Sequence, residues 1–124
     1  MNMRDTICRA KTSGPTTQPD GAVEFQFCFP AEEPVFAGHF PKRPILPGVF
    51  QLEMSRLAAE WTLKSPITLS EVSKAKFLRP IAPGDPVRLL LKCSETAGQF
   101  LVRSTCFVRG QPAGESQLRL CRSA

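Results

Sequence analysis

Pro47-Gly-Val-Phe-Gln-Leu-Glu-Met-Ser-Arg-Leu-Ala-Ala-Glu-Trp-Thr-Leu63 is the stretch that decides the fold. Val49 to Leu63 holds no proline or glycine and is rich in Leu, Met, Ala and Glu, which predicts one helix. Pro47 suits a first helical position, and Pro66 blocks continuation. Val49, Phe50, Leu52, Met54, Leu57, Ala58, Trp61 and Leu63 surround most of the helix circumference. A helix apolar on nearly all sides is one that other structure wraps.

The wrapping material reads as strands. Val23, Phe25, Phe27 and Phe29 alternate with Glu24, Gln26 and Cys28 until Pro30, the period of a half-buried strand. Beyond the helix, Thr68–Phe77, Pro86–Cys93, Phe100–Val108 and Gln117–Cys121 follow as strands, separated by turns at Pro80–Asp85, Gly98 and Gly110. A short strand is expected around Thr6–Lys11, and the polar Thr12–Gly21 reads as a loop. The prolines at 34, 41, 44 and 47 exclude a long helix or an inner strand there. The predicted order is two strands, one buried helix, then four strands whose short connections imply sequential antiparallel neighbours. This is an α+β chain, a curled antiparallel sheet of about six strands around one long central helix, expected as a single domain over residues 1–124. One sheet wrapping one helix leaves an outer face or an edge strand for a partner, so a homodimer, or a higher oligomer of dimers, is expected.

The 124 residues are 42% hydrophobic and 22% charged, which excludes a wholly disordered chain. The longest run free of Asp, Glu, Lys and Arg is nine residues, Pro44 to Leu52, so no membrane span is expected. No apolar run follows the charged start, so no secretory signal is expected and a cytoplasmic protein is. The cysteines at 8, 28, 93, 106 and 121 form no C-x-x-C pair and are odd in number, which favours free thiols. A single histidine excludes a multi-histidine metal centre. The net charge of +5 is scattered rather than gathered into a basic helix or an aromatic-basic string. An acidic protein partner fits that surface better than nucleic acid.

Two ionisable groups lie near the helix start, His39 in Phe36-Ala-Gly-His-Phe-Pro41 and Glu53 in the second helical turn. Each has a plain structural reading. Glu53, Arg56 and Glu60, at i, i+3 and i+7, would make a solvated ion-pairing stripe, and a lone loop histidine is commonly structural. Their joint context points further. Gly38-His-Phe-Pro-Lys-Arg-Pro-Ile-Leu-Pro-Gly-Val49, with Glu53 fourteen positions after His39, resembles the active-site signature of the β-hydroxyacyl-acyl carrier protein dehydratases. Lys74-Ala-Lys-Phe-Leu-Arg-Pro-Ile-Ala-Pro-Gly-Asp85 resembles the strand and turn that follow the helix in that family, so the resemblance spans about Phe25 to Leu91.

The resemblance implies the hot-dog fold and a set of roles. His39 would remove a C2 proton from a β-hydroxyacyl thioester, and Glu53 would protonate the departing C3 hydroxyl, directly or through water. The Gly48 N–H, in the helix's first turn, would bind the thioester carbonyl, where unpaired donors and the helix dipole favour developing negative charge. The two side chains would come from different subunits of a dimer. Phe36, Phe40, Phe50 and Phe77 are candidates for an acyl tunnel, each equally at home in plain core packing. Lys42, Arg43, Lys76 and Arg79 would meet an acidic acyl carrier protein at its mouth, or lie as ordinary surface charge; an acyl-CoA substrate is the other option. No metal or organic cofactor is implied. The chain departs from the fatty-acid enzymes at Met54-Ser-Arg56-Leu-Ala58, at Lys42-Arg43 and in lacking tyrosine. Ile45 to Leu52 looks closer to dehydratase-like members of aryl-polyene or polyketide clusters. A hot-dog acyl thioesterase and a non-catalytic acyl-binding subunit are the competing readings.

Overall fold

The structure is a computed structural model that describes residues 2–37 and 43–123. Its first element corrects the expected opening strand. Met3–Ala10 is a helix, α1, capped by the Asn2 side chain, which accepts from the Asp5 N–H at 3.2 Å. Thr6, Ile7 and Ala10 bury one face of it. The segment expected as a loop also forms structure: β1 (Lys11–Thr17) pairs antiparallel with β2 (Val23–Phe27) through two register shifts. Gly14 is obligatory there, since its φ of 109° disfavours any side chain and a Cβ would lie 2.6 Å from the Glu24 carbonyl oxygen. The bulges and Pro15 blunt this edge of the sheet.

The central helix α2 spans Gly48–Leu63, with Pro47 as its N-cap and Lys64 closing it in the left-handed region. Four strands follow: β3 (Ile67–Phe77), β4 (Val87–Thr96), β5 (Gln99–Val108) and β6 (Gln111–Arg122). β6 begins six residues earlier than expected, directly after the turn at Gly110. The six strands form one antiparallel sheet in the order β1-β2-β4-β5-β6-β3. Sequential pairing therefore holds for β1–β2 and β4–β5–β6 but fails around β3, which pairs with β6 alone and leaves β2 to meet β4. The chain crosses from one sheet edge to the middle between β3 and β4.

The concave face closes on α2. Phe25, Phe27, Phe29, Leu89, Leu91, Leu118 and Leu120 meet Met54, Leu57 and Ala58 in one core, all at most 1% exposed. Each of the Phe, Leu and Met side chains contributes about 1.5–3 kcal/mol by leaving water. Polar groups thread this core: Ser55 donates to the Gln51 carbonyl at 3.1 Å, and Ser55, Ser104 and Ser116 link α2, β5 and β6 through hydroxyl contacts of 2.6 and 2.7 Å. The helix is not wrapped on every side, however. Val49 is 54% exposed, and Glu53, Arg56 and Glu60 border solvent beside β3. Along β3 itself only Ile67 is buried.

Candidate active site

The approach to α2 is held by the Pro80–Asp85 turn. The Leu46 N–H donates to the Ile81 carbonyl at 2.7 Å, and the Gly84 N–H donates to the Phe29 carbonyl at 2.8 Å. Asp85 braces the turn by accepting from the Ala82 N–H at 2.8 Å. The two separate segments that carry the resemblance are thus in contact, one anchoring the other. Pro47 offers no capping side chain, and the first helical donor to find a backbone acceptor is the Phe50 N–H, to the Pro47 carbonyl at 3.0 Å. The Gly48 and Val49 N–H groups have no backbone acceptor among the described residues, the condition a carbonyl-binding site needs.

Phe77 stands over that first turn. A Cβ on Gly48 would lie 2.7 Å from two of its ring carbons, so ring and glycine are in direct contact. The ring is 52% exposed. Beside it, Gln51 presses on Gly114, β6's partner for Phe77 across the ladder. Gln51, Ser55, Ser104 and Ser116 line a cavity of about 10 Å³ under Phe77, too small for an acyl chain. Phe36 and Phe50 are in the core, Phe50 with its ring edge-on to Phe29 at 6.5 Å.

Glu53 takes part in the ion-pairing stripe. Both of its oxygens accept from Arg56, from Nε and Nη2, each at 2.7 Å. Arg56 Nη1 reaches Glu60 at 2.6 Å and the Ile67 carbonyl at 2.8 Å. Glu60 also accepts from the Ile67 N–H at 3.1 Å and from Arg4 on α1 at 3.1 Å. Burial pushes Glu60 upward, but the Ile67 N–H, Arg56 and Arg4 outweigh it and hold its carboxyl below the usual range. The Arg56 guanidinium is raised, chiefly by its hydrogen bonds to Glu53. Glu53, Arg56 and Glu60 line an open groove with Ile67, Thr68, Leu69 and Ser123, along the free edge of β3. Spacing alone foresees the stripe; it does not foresee that Arg56 reaches across to β3.

Arg43, Lys76 and Arg79 are all exposed. Arg79 reaches Gln111 at 3.3 Å and, through its backbone, the Ala113 carbonyl. His39, Phe40 and Lys42 lie outside the described residues. Among the sequence-expected groups, then, Gly48 and Phe77 are brought together, while Glu53, five residues further along the same helix, lines the groove beside Ile67, Thr68 and Leu69. Sequence reading misses the buried Gln51; its signal is a glutamine on the apolar face one turn ahead of Ser55.

Residues 15–111 match the family model described as ApeI-like, the ApeI dehydratase. The 3-hydroxyacyl-acyl-carrier-protein dehydratase FabZ of Alkalilimnicola ehrlichii is 35% identical over 98 residues, covering 70% of this chain and 63% of its own. The same enzyme of Rickettsia massiliae is 37% identical over 94 residues, with coverages of 68% and 65%. The chain thus spans slightly less than two thirds of the length of these curated relatives. Among solved structures, the dehydratase heterocomplex ApeI:P from Xenorhabdus doucetiae superposes with a TM-score of 0.70 at 26% identity, over 89% of this chain and 93% of that one. An uncharacterised protein from Erwinia carotovora subsp. atroseptica has a TM-score of 0.72 at 23% identity, over 91% and 95% of the two chains, a likeness of fold. These neighbours share the hot-dog fold: a curled antiparallel sheet around one helix.

Proposed function

The chain belongs to the ApeI-like dehydratase family, and from that premise we propose that it removes water from a 3-hydroxyacyl thioester to give the trans-2-enoyl thioester. The observation that carries the reading is the start of the helix, where the Gly48 N–H has no backbone acceptor among the described residues and lies under the Phe77 ring, with Glu53 further along the same helix on the wall of an open groove. The thioester carbonyl accepts from the Gly48 N–H, which stabilises the enolate-like charge as the C2 proton leaves for His39. The C2–H electrons form the double bond, the C3–O bond breaks, and the hydroxyl departs as water with a proton delivered by Glu53. Phe77 must swing off Gly48 to admit the carbonyl. Phe40 would line the acyl tunnel with it, and Phe36 and Phe50 form the packed wall behind.

The site is completed by a second copy of the chain. β3 is an eleven-residue edge strand with Leu69, Val72 and Phe77 exposed, and a long apolar edge is a pairing surface. A strand laid along it covers the groove beside Glu53 and brings the partner's loops to that carboxyl. Lys42, Arg43, Lys76 and Arg79 then supply positive charge for an acidic acyl carrier protein, whose soluble thioester pool places the reaction in the cytoplasm. Among the described residues no helix is long and apolar enough to cross a membrane.

Incubation with 3-hydroxyacyl thioesters of graded length tests the activity. An absorbing enoyl product is expected, and His39→Ala or Glu53→Gln each lowers turnover by about 10²-fold or more, the usual contribution of a placed acid or base. Release of free thiol without enoyl product would instead identify a thioesterase.

A further inference from the structure

Arg56 makes four hydrogen bonds, two to Glu53, one to Glu60 and one to the Ile67 carbonyl. Its side chain is only 18% exposed, far from the solvated end of a surface pair. The partners are not equivalent. Glu60 is anchored three ways, by Arg56, by Arg4 and by the Ile67 N–H, and with Arg56 it already ties α2 to the start of β3. Glu53 has no hydrogen-bonding partner among the described residues except Arg56, and adds nothing to that tie. The fork nevertheless engages both of its oxygens, the planar two-point geometry that only arginine supplies. Each carboxylate oxygen keeps a second lone pair that no described residue uses, and the carboxylate lies on the wall of the open groove along β3.

We propose that Arg56 is the positioning residue of Glu53: anchored on Glu60 and the Ile67 carbonyl, it fixes the Glu53 carboxyl in one orientation beside the groove, leaving one position on each oxygen free, one of which carries the proton that leaves with the C3 hydroxyl. The proposal rests on the dehydration reading, because it is the reacting geometry that this fixing serves. Arg56 touches no reacting atom. It replaces by a rigid fork the many rotamers of an unheld glutamate, and a displacement of about 1 Å at a reacting group costs about 10²-fold in rate.

The test uses the full chain in the assembly in which it purifies, with a 3-hydroxyacyl thioester and enoyl absorbance as the readout. Arg56→Lys keeps the charge and the stem but loses the fork. It is expected to fold, to lower kcat by about 10²-fold and to leave KM within about twofold. Guanidinium ion at sub-denaturing concentration should restore part of the kcat of Arg56→Ala and none of that of Glu53→Gln. Should Arg56→Ala fail to fold, Arg56→Lys carries the test alone. An Arg56→Lys enzyme with wild-type kcat, or one altered in KM only, overturns the positioning role and leaves dehydration standing. A wild-type chain that dehydrates no thioester removes the dehydration reading itself, and this inference with it.

Discussion

Gly48 shows how one residue serves packing and chemistry together. Its lack of a Cβ lets the Phe77 ring rest on the helix start, where an added methyl would sit 2.7 Å from the ring. Gly48→Ala should therefore push the half-exposed ring aside at a cost below the range of about 1–3 kcal/mol for overpacking a closed core, and the cost should vanish when Phe77 is also replaced by Ala. Thermal melts of the two single variants and the double variant measure that coupling; equal losses in both backgrounds would disprove the contact. Cys106 is a second case. Burial alone pushes its thiol up to about 12 from an ordinary 9.0. The fold therefore favours the protonated thiol, and that stability is fully present below pH 9 and lost as pH rises towards about 12. Cys106→Ala should flatten the alkaline fall in Tm, and thiol-modifying reagents should label exposed Cys8 while sparing Cys106 until unfolding.

At the scale of elements, the unpaired edge is the feature with the largest consequence. β3 carries Leu69 and Val72 at 38% and 41% exposure on a strand with a neighbour on one side only. Val72→Lys should leave the fold intact, since that side chain packs on nothing in the core, and should convert a dimer into a monomer by light scattering, with loss of turnover. A monomeric wild-type chain would count against the shared site. Sequence alone made β2, β4 and β5 legible, because alternation such as Val23, Phe25, Phe27 records which face of a strand is buried, whereas β3, exposed along all but Ile67, was placed only by the turns that bound it. Alternation does not record which strand lies alongside, and so β3 and β4 read as neighbours although β6 stands beside β3. β1 escaped because its mostly exposed polar residues show no alternation. α1 escaped because Thr6-Ile7-Cys8 has strand-like residue types, while the signals for a helix, Asn2 before Asp5 and Arg9 in the last turn, are only capping signals. The candidate pair is readable only as a spacing, His39 to Glu53, because it is a local motif, and His39 lies outside the described residues. The Arg56 bridge to Ile67 was not legible, because it spans eleven residues and depends on where β3 begins.

Across the whole molecule the charge balance bears on how substrate arrives. Sixteen basic residues against eleven acidic ones give +5, but several of the arginines are already spent on carboxylates: Arg4, Arg9, Arg56, Arg88, Arg109 and Arg119 all form ion pairs. Arg43, Lys76 and Arg79 form none among the described residues, and their charge is left to act at a distance. A field of this kind speeds encounter with an acidic protein and is screened beyond about 8–10 Å at ordinary ionic strength. A small thioester without a carrier has no extended negative surface for the field to pull. Raising salt should accordingly raise KM for a carrier-bound 3-hydroxyacyl substrate and leave kcat unchanged, while KM for the same acyl group on a short neutral thiol stays constant. Lys76→Glu with Arg79→Glu should reproduce the high-salt KM at low salt, again for the carrier-bound form alone. If both substrates respond alike, the charges act on the site and not on docking, and coenzyme A thioesters become the better description of what the enzyme takes.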